Sequence, residues 1–265
     1  MEKRFLTPAE TTDAIVLAGK RVLTQPHSRT MVLSLLAGVY IAFGAQLATV
    51  VTADAAPHVG IGISRLLGGS VFSVGLMLVV VCGAELFTGN SLLAKAALQR
   101  EIPWLKLVEN WTIVIIGNLL GSLFVAWLIY HSGLWQNNPI GEHAVKLAVA
   151  KTDLSFEEAL IRGVLCNWLV CLAVFMAVAA RDLTGKILAC YAPIMAFVAS
   201  GFEHSVANMF FIPTGLLLKS SLATSAPHLT WYSFMIDNLL PVTLGNIFGG
   251  VVFVAGAYWF VHLKK

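Results

Sequence analysis

Charge is scarce in this 265-residue chain: Asp, Glu, Lys and Arg make up 12% of it, against roughly 25% in an ordinary soluble domain. Hydrophobic residues account for 58%, and the mean hydropathy is +0.81. Such a chain cannot cover itself with a solvated surface, which excludes a soluble fold. The net charge of +3 says little about nucleic acid in such a chain, where the placement of the positive residues matters instead, and no nucleic-acid partner is expected. Cysteine is equally sparse. Cys82, Cys166, Cys171 and Cys190 lie in or beside apolar segments without metal-type spacing, and read as packing residues rather than as disulfides, redox groups or metal ligands. There is no His-Glu-x-x-His, no Gly-x-Ser-x-Gly and no Cys–His pair of known spacing, so no cofactor or metal is expected and catalysis has little support. Met1 to Arg29 is polar and holds no apolar run of signal-peptide length, so the first hydrophobic segment is expected to stay in the mature protein.

What is present is a set of long runs free of Asp, Glu, Lys and Arg, at 30–53, 66–84, 110–141, 163–180, 187–202 and 238–263. All but 187–202 reach the ~18 to 20 residues needed to cross a hydrocarbon core. That short run continues past Glu203-His204 as 204–218. Six spans are expected. Their flanks divide the basic residues 12 against 5, with Lys3, Arg4, Lys20, Arg21, Arg29, Lys95, Arg100, Lys106, Arg181, Lys186, Lys264 and Lys265 on the richer side. The positive-inside rule then places both termini in the cytoplasm. Residues 1–29 read as an amphipathic cytoplasmic helix, opened by a capping box of Thr7 and Glu10 and presenting Ala14, Leu17, Ala18 and Val22 on one apolar face. Residues 30–265 read as a single transmembrane domain.

Two passages of the chain match two others. Asn110–Phe124 and Asn238–Val252 share Asn-x6-Gly-Asn-x2-Gly, while Gly83–Asn90 and Gly201–Asn208 share Gly-x-Glu-x4-Asn. The chain is therefore a duplicated three-span unit, with repeats at about 30–131 and 159–263. Because three is odd, the second copy enters the membrane from the opposite face, giving inverted halves. In each half the second span is interrupted, so the second and fifth helices are expected to be broken. Such a break is tolerated at membrane depth only inside protein or beside a cavity, and half-helix N-termini suit an anion. Glu85, Asn90, Glu203 and Asn208 are expected to brace the broken loops. The Gly117/Gly121 and Gly245/Gly249 steps are explained by close helix packing.

His204 is the one histidine inside an interrupted span. An intramembrane ionisable group points to function, and an imidazole in a low-dielectric passage can trade a proton with a small acid in transit. An intramembrane enzyme using Glu203-His204 is the alternative from another class, but no third converging catalytic group supports it.

The passages Cys82–Asn90, Gly201–Pro213 and Asn238–Gly250 together make the sequence resemble the formate/nitrite transporter family, which includes hydrosulfide channels. The resemblance implies an all-α, aquaporin-like bundle in the bacterial cytoplasmic (inner) membrane, in contact with lipid and assembled as a homopentamer with a pore in each protomer. It implies that His204 and Thr88 form the polar centre and that Asn167 is a polar residue near it. Phe72 and Phe197 would belong to one constriction, and Leu76, Leu86 and Phe87 to the other. Lys151 would be a basic residue at the outer vestibule, attracting anions. The implied activity is passive or proton-coupled transport of a small monovalent anion of a weak acid, formate first, with nitrite or hydrosulfide as alternatives. Gly89-Asn90 after Thr88 stands where formate channels often carry Ser or Thr, which leaves the choice among the three open.

Overall fold

A computed structural model describes residues 5–136, 138–222 and 225–264. The chain opens with α1, Pro8–Leu23, and the capping box is present: the Glu10 N–H donates to Thr7 Oγ1, and the Thr7 N–H donates to the Glu10 carboxylate. The expected apolar face of α1 is only partly turned inward, Val22 packing on a buried cluster. Leu17 is 67% exposed, while Thr11, Thr12, Ile15, Val16, Gly19 and Leu23 are turned inward. The small residue decides the approach, since a Cβ at Gly19 would lie 3.0 Å from that of Ala96. A polar pair beside Ile15 and Val16 hid this stripe from a pattern of apolar spacing.

Among the described residues, six helices are long and apolar enough to cross a membrane. They are α2 (His27–Thr52), α3 (Ala55–Cys82), α5 (Trp104–His131), α7 (Phe156–Ala179), α8 (Leu183–Ser200) and α10 (Ser233–His262). No sheet accompanies them among those residues; one bridge joins Phe5 to Ala180. Between the spans lie two half-helices. The first, α4, runs through Phe87–Asn90, a 3₁₀ turn at Ser91–Leu93 and Ala94–Leu98; the second, α9, is Ser205–Ser221. The remaining helix, α6, is Pro139–Thr152.

The run 110–141 does not continue as one span. It ends at His131, the chain turns at Gly133, and α6 starts behind an Asn138 cap whose side chain accepts from the N–H groups of Ile140 and Gly141. The loop carries no charge, with Trp135 buried edge-on against Phe210, so a charge-free run does not end there. Span α7 begins earlier than its apolar run, at a Ser155/Glu158 capping box. Span α10 contains two π-helical stretches, Ser233–Leu239 and Val251–Gly256.

The repeat is visible in the packing. Helix α2 packs along α5 and α7 along α10, and in each pair the glycine step lets backbones meet. A Cβ at Gly121 would run into the Leu35 carbonyl oxygen, and one at Gly249 into that of Val164. Helix α1 covers α4 as α6 covers α9.

Candidate functional site

Each broken span stops at a glycine in the left-handed region, Gly83 (φ 78°) and Gly201 (φ 76°), where a side chain is strained. Three extended residues follow, and the chain re-enters a helix at Phe87 or Ser205. The backbone groups freed by the break are satisfied twice over in the same way. Asn118 Oδ1 accepts from the Phe87 N–H at 2.9 Å, and its Nδ2 donates to the carbonyls of Ser34 (2.7 Å) and Glu85 (3.0 Å). Asn246 Oδ1 accepts from the Ser205 N–H at 2.9 Å, and its Nδ2 donates to Gly163 (2.8 Å) and Glu203 (3.0 Å). These two braces went unassigned in the sequence reading, although their repeated place in Asn-x6-Gly-Asn was the signal.

The carboxylates are also held. Asn90 Nδ2 donates to Glu85 at 2.7 Å and to Asn110 Oδ1 at 3.1 Å; Asn208 Nδ2 donates to Glu203 at 2.6 Å and to Asn238 Oδ1 at 2.7 Å. The halves differ in what completes the shell. Glu85 accepts from the Gln25 amide at 3.3 Å, whereas Glu203 takes the ammonium of Lys151 at 2.9 and 3.1 Å. With side chains only 16% and 6% exposed, Lys151 and Glu203 form a nearly dry ion pair.

The two loops meet at their helix starts. Thr88 Oγ1 lies 2.9 Å from His204 Nε2, with both residues buried. His204 is the cap of α9, its Nδ1 accepting from the Ala207 N–H at 3.1 Å. That bond assigns the tautomer. With Nδ1 an acceptor, the ring proton of the neutral imidazole sits on Nε2 and is donated to Thr88, which leaves the threonine's own hydroxyl hydrogen available. The Thr88 carbonyl accepts from Asn167 Nδ2 at 3.2 Å, and Asn167 also reaches Ser91 Oγ (3.2 Å) and the Asn246 carbonyl (2.7 Å). Asn167 thus ties the first half-helix to the backbone of α10.

Apolar groups close both sides of this centre. The Phe197 ring is stacked on His204 at 5.8 Å, and Phe72 stands edge-on to Phe197 at 5.8 Å. Both rings line a cavity of about 390 Å³ that also holds His204, Lys151 and Glu203. On the opposite side Leu76 and Leu86 line a cavity of about 190 Å³, roofed by Ile15 and Ala18 of α1. Phe87 is not among the residues around that second cavity; its ring lies edge-on to Trp111 at 6.2 Å. No group of His, Cys, Asp and Glu among the described residues could hold a metal ion.

The arrangement is two cavities separated by a dry, one-hydrogen-bond polar step, which is a passage and not a reaction vessel. Comparison with known proteins agrees. A family model described as formate/nitrite transporter matches residues 9–260. A probable formate transporter of Methanothermobacter thermautotrophicus is 43% identical, the match covering 100% of both chains. The formate channel FocA of Escherichia coli K12 is 38% identical over 98% of this chain and 96% of its own. Among solved structures, a pentameric formate channel with formate bound superposes with a TM-score of 0.79 at 36% identity, covering 90% of this chain and 98% of that one. A channel described as an FNT family ion channel gives 0.85 at 31%, covering 95% and 98%.

Proposed function

The chain belongs to the formate/nitrite transporter family, whose members are transporters and channels and not enzymes, and we propose that it carries formate across the cytoplasmic membrane. The observation that carries this reading is the Thr88–His204 contact at the meeting of two braced half-helices, with apolar side chains on either side. The basic flanks at the α1 end orient that end to the cytoplasm, which makes the wider cavity the outer vestibule.

Formate enters this cavity as an anion. It cannot pass Phe72 and Phe197 charged, because stripping an ion of water in an apolar passage costs several kcal/mol even after relaxation. Desolvation favours the protonated acid, and the anion takes a proton from hydronium in the vestibule, leaving water behind, as it enters the passage. At the centre, the His204 Nε2–H polarises the Thr88 hydroxyl, which donates to an oxygen of the acid. His204 acts as a fixed donor. A second proton on Nδ1 would face the Ala207 N–H and uncap α9, so the ring holds the acid in place rather than surrendering a proton to it. The acid then passes Leu76 and Leu86 and ionises in the inner cavity.

Both Thr88 and His204 belong to one chain, so each protomer carries a complete pathway, and assembly as a homopentamer follows the solved relative. The test is uptake of formate, nitrite and hydrosulfide into proteoliposomes at two external pH values, with chloride as control. Formate uptake that rises on external acidification, without chloride passage, supports the reading. Chloride entering as fast as formate refutes it, and a faster rate for nitrite or hydrosulfide transfers the assignment to that acid.

A further inference from the structure

The outer vestibule is lined by three basic side chains, Arg65, Arg162 and Lys151, and by one acidic side chain, Glu203. Lys151 and Glu203 are spent on each other, and a close ion pair presents little net field to an ion some distance away. His143 also faces this space and adds no charge. Its Nε2 is 2.9 Å from Thr52 Oγ1, and burial, followed by the neighbouring Lys146, holds it below the usual imidazole range. What remains is the two guanidiniums. Among the described residues Arg162 pairs only with Glu158, at 3.9 Å, both side chains being more than a third exposed, a pairing worth little in water. Arg65 has no ion-pair partner among the described residues.

Their placement is set by the fold. Arg65 projects from α3 and Arg162 from the second turn of α7, so different walls of the cavity supply them. Arg162 is further tied to the broken loop, since its carbonyl accepts the Glu203 N–H at 3.2 Å, one residue before His204.

We infer that Arg65 and Arg162, and not Lys151, collect the anion at the outer vestibule, and that their planar forks select anions carrying two oxygens in a plane. A guanidinium offers parallel N–H donors that match a carboxylate or nitrite bidentately and stays charged at any working pH. A hydrosulfide or chloride presents a single acceptor atom and can use the charge but not the fork. Lys151 instead holds the Glu203 end of the loop in register. The inference rests on the proposed function and deepens it by naming the residues that read the anion at the outer vestibule.

The experiment compares wild type with the R65Q/R162Q and R65K/R162K double variants in proteoliposomes, measuring half-saturation for formate from the vestibule face and from the opposite face, and hydrosulfide uptake alongside. Loss of one charge-assisted contact corresponds to about tenfold in affinity. The Gln pair is expected to raise half-saturation about tenfold from the vestibule face alone, the unchanged opposite face showing that the pathway is intact. The Lys pair is expected to keep hydrosulfide uptake while formate half-saturation rises several-fold. A correctly assembled Gln pair with unaltered half-saturation overturns the collecting role, and an unaltered formate-to-hydrosulfide ratio in the Lys pair overturns selection by the fork. If wild type carries no formate, the proposed function fails and this inference falls with it; if wild type carries formate and the variants match it, only this inference fails.

Discussion

Replacing Thr88 by Val tests the polar step directly. The two side chains have nearly the same shape, and Thr88 is fully buried, so the change opens no cavity and forces no repacking of Phe197 or Leu86. The main-chain bonds remain, because Asn167 and Cys171 reach the Thr88 carbonyl and not its hydroxyl. What disappears is the acceptor for His204 Nε2–H and the hydroxyl hydrogen offered to the acid. An orphaned buried donor costs about 1–3 kcal/mol of stability. The same range, if the missing contact is made at the top of the transport barrier, is about a 5- to 150-fold loss of rate. The assay is initial formate uptake by purified Thr88→Val, with Thr88→Ser as control, since serine keeps the hydroxyl while losing a methyl group. The Val variant should be slow and Ser close to wild type. Val transporting as fast as wild type would remove Thr88 from the mechanism and leave the 2.9 Å contact with His204 as a structural bond.

Breaking the ion pair gives a test of a different kind. Lys151→Met leaves Glu203 in a nearly dry site without its ammonium and should cost about 3–5 kcal/mol, while Lys151→Met combined with Glu203→Gln should recover most of it; equal unfolding temperatures for the single and double variants would show that the pair contributes nothing. Gly249→Ala puts a Cβ against the Val164 carbonyl oxygen and should destabilise α7–α10 packing by about 1–3 kcal/mol, read as a lower unfolding temperature in detergent. An unchanged unfolding temperature would mean the two backbones can part freely.

Much of this architecture could be read before any coordinates, because the duplication is written in residues with backbone duties. Gly83 and Gly201 mark the breaks by needing a left-handed conformation, and the asparagines recur because each break frees the same N–H and carbonyl groups. Helix α6 and the loop before it were not legible. The loop carries no charge, and its Trp135 is buried against Phe210, so a search for charge-free runs does not separate it from the span. The partner of Lys151 was also out of reach, since Glu203 lies 52 positions away in sequence and pattern carries no information about such pairs. Phe87 has a ring contact that resemblance does not supply, edge-on to Trp111.

The scaffold of this pathway is doubled, but its chemistry is single. Where the second loop has His204, the first has Leu86 at the matching place, so in the proposed pathway one imidazole serves the whole crossing. By microscopic reversibility, acid leaving the cell must negotiate the same Thr88–His204 step, in reverse order, as acid entering it. On the proposed pathway a change at that step therefore alters influx and efflux by the same factor and leaves their balance to the gradient of the transported acid. Asymmetry between the two directions can be built only in the cavities, where one side is charged and the other is roofed by α1.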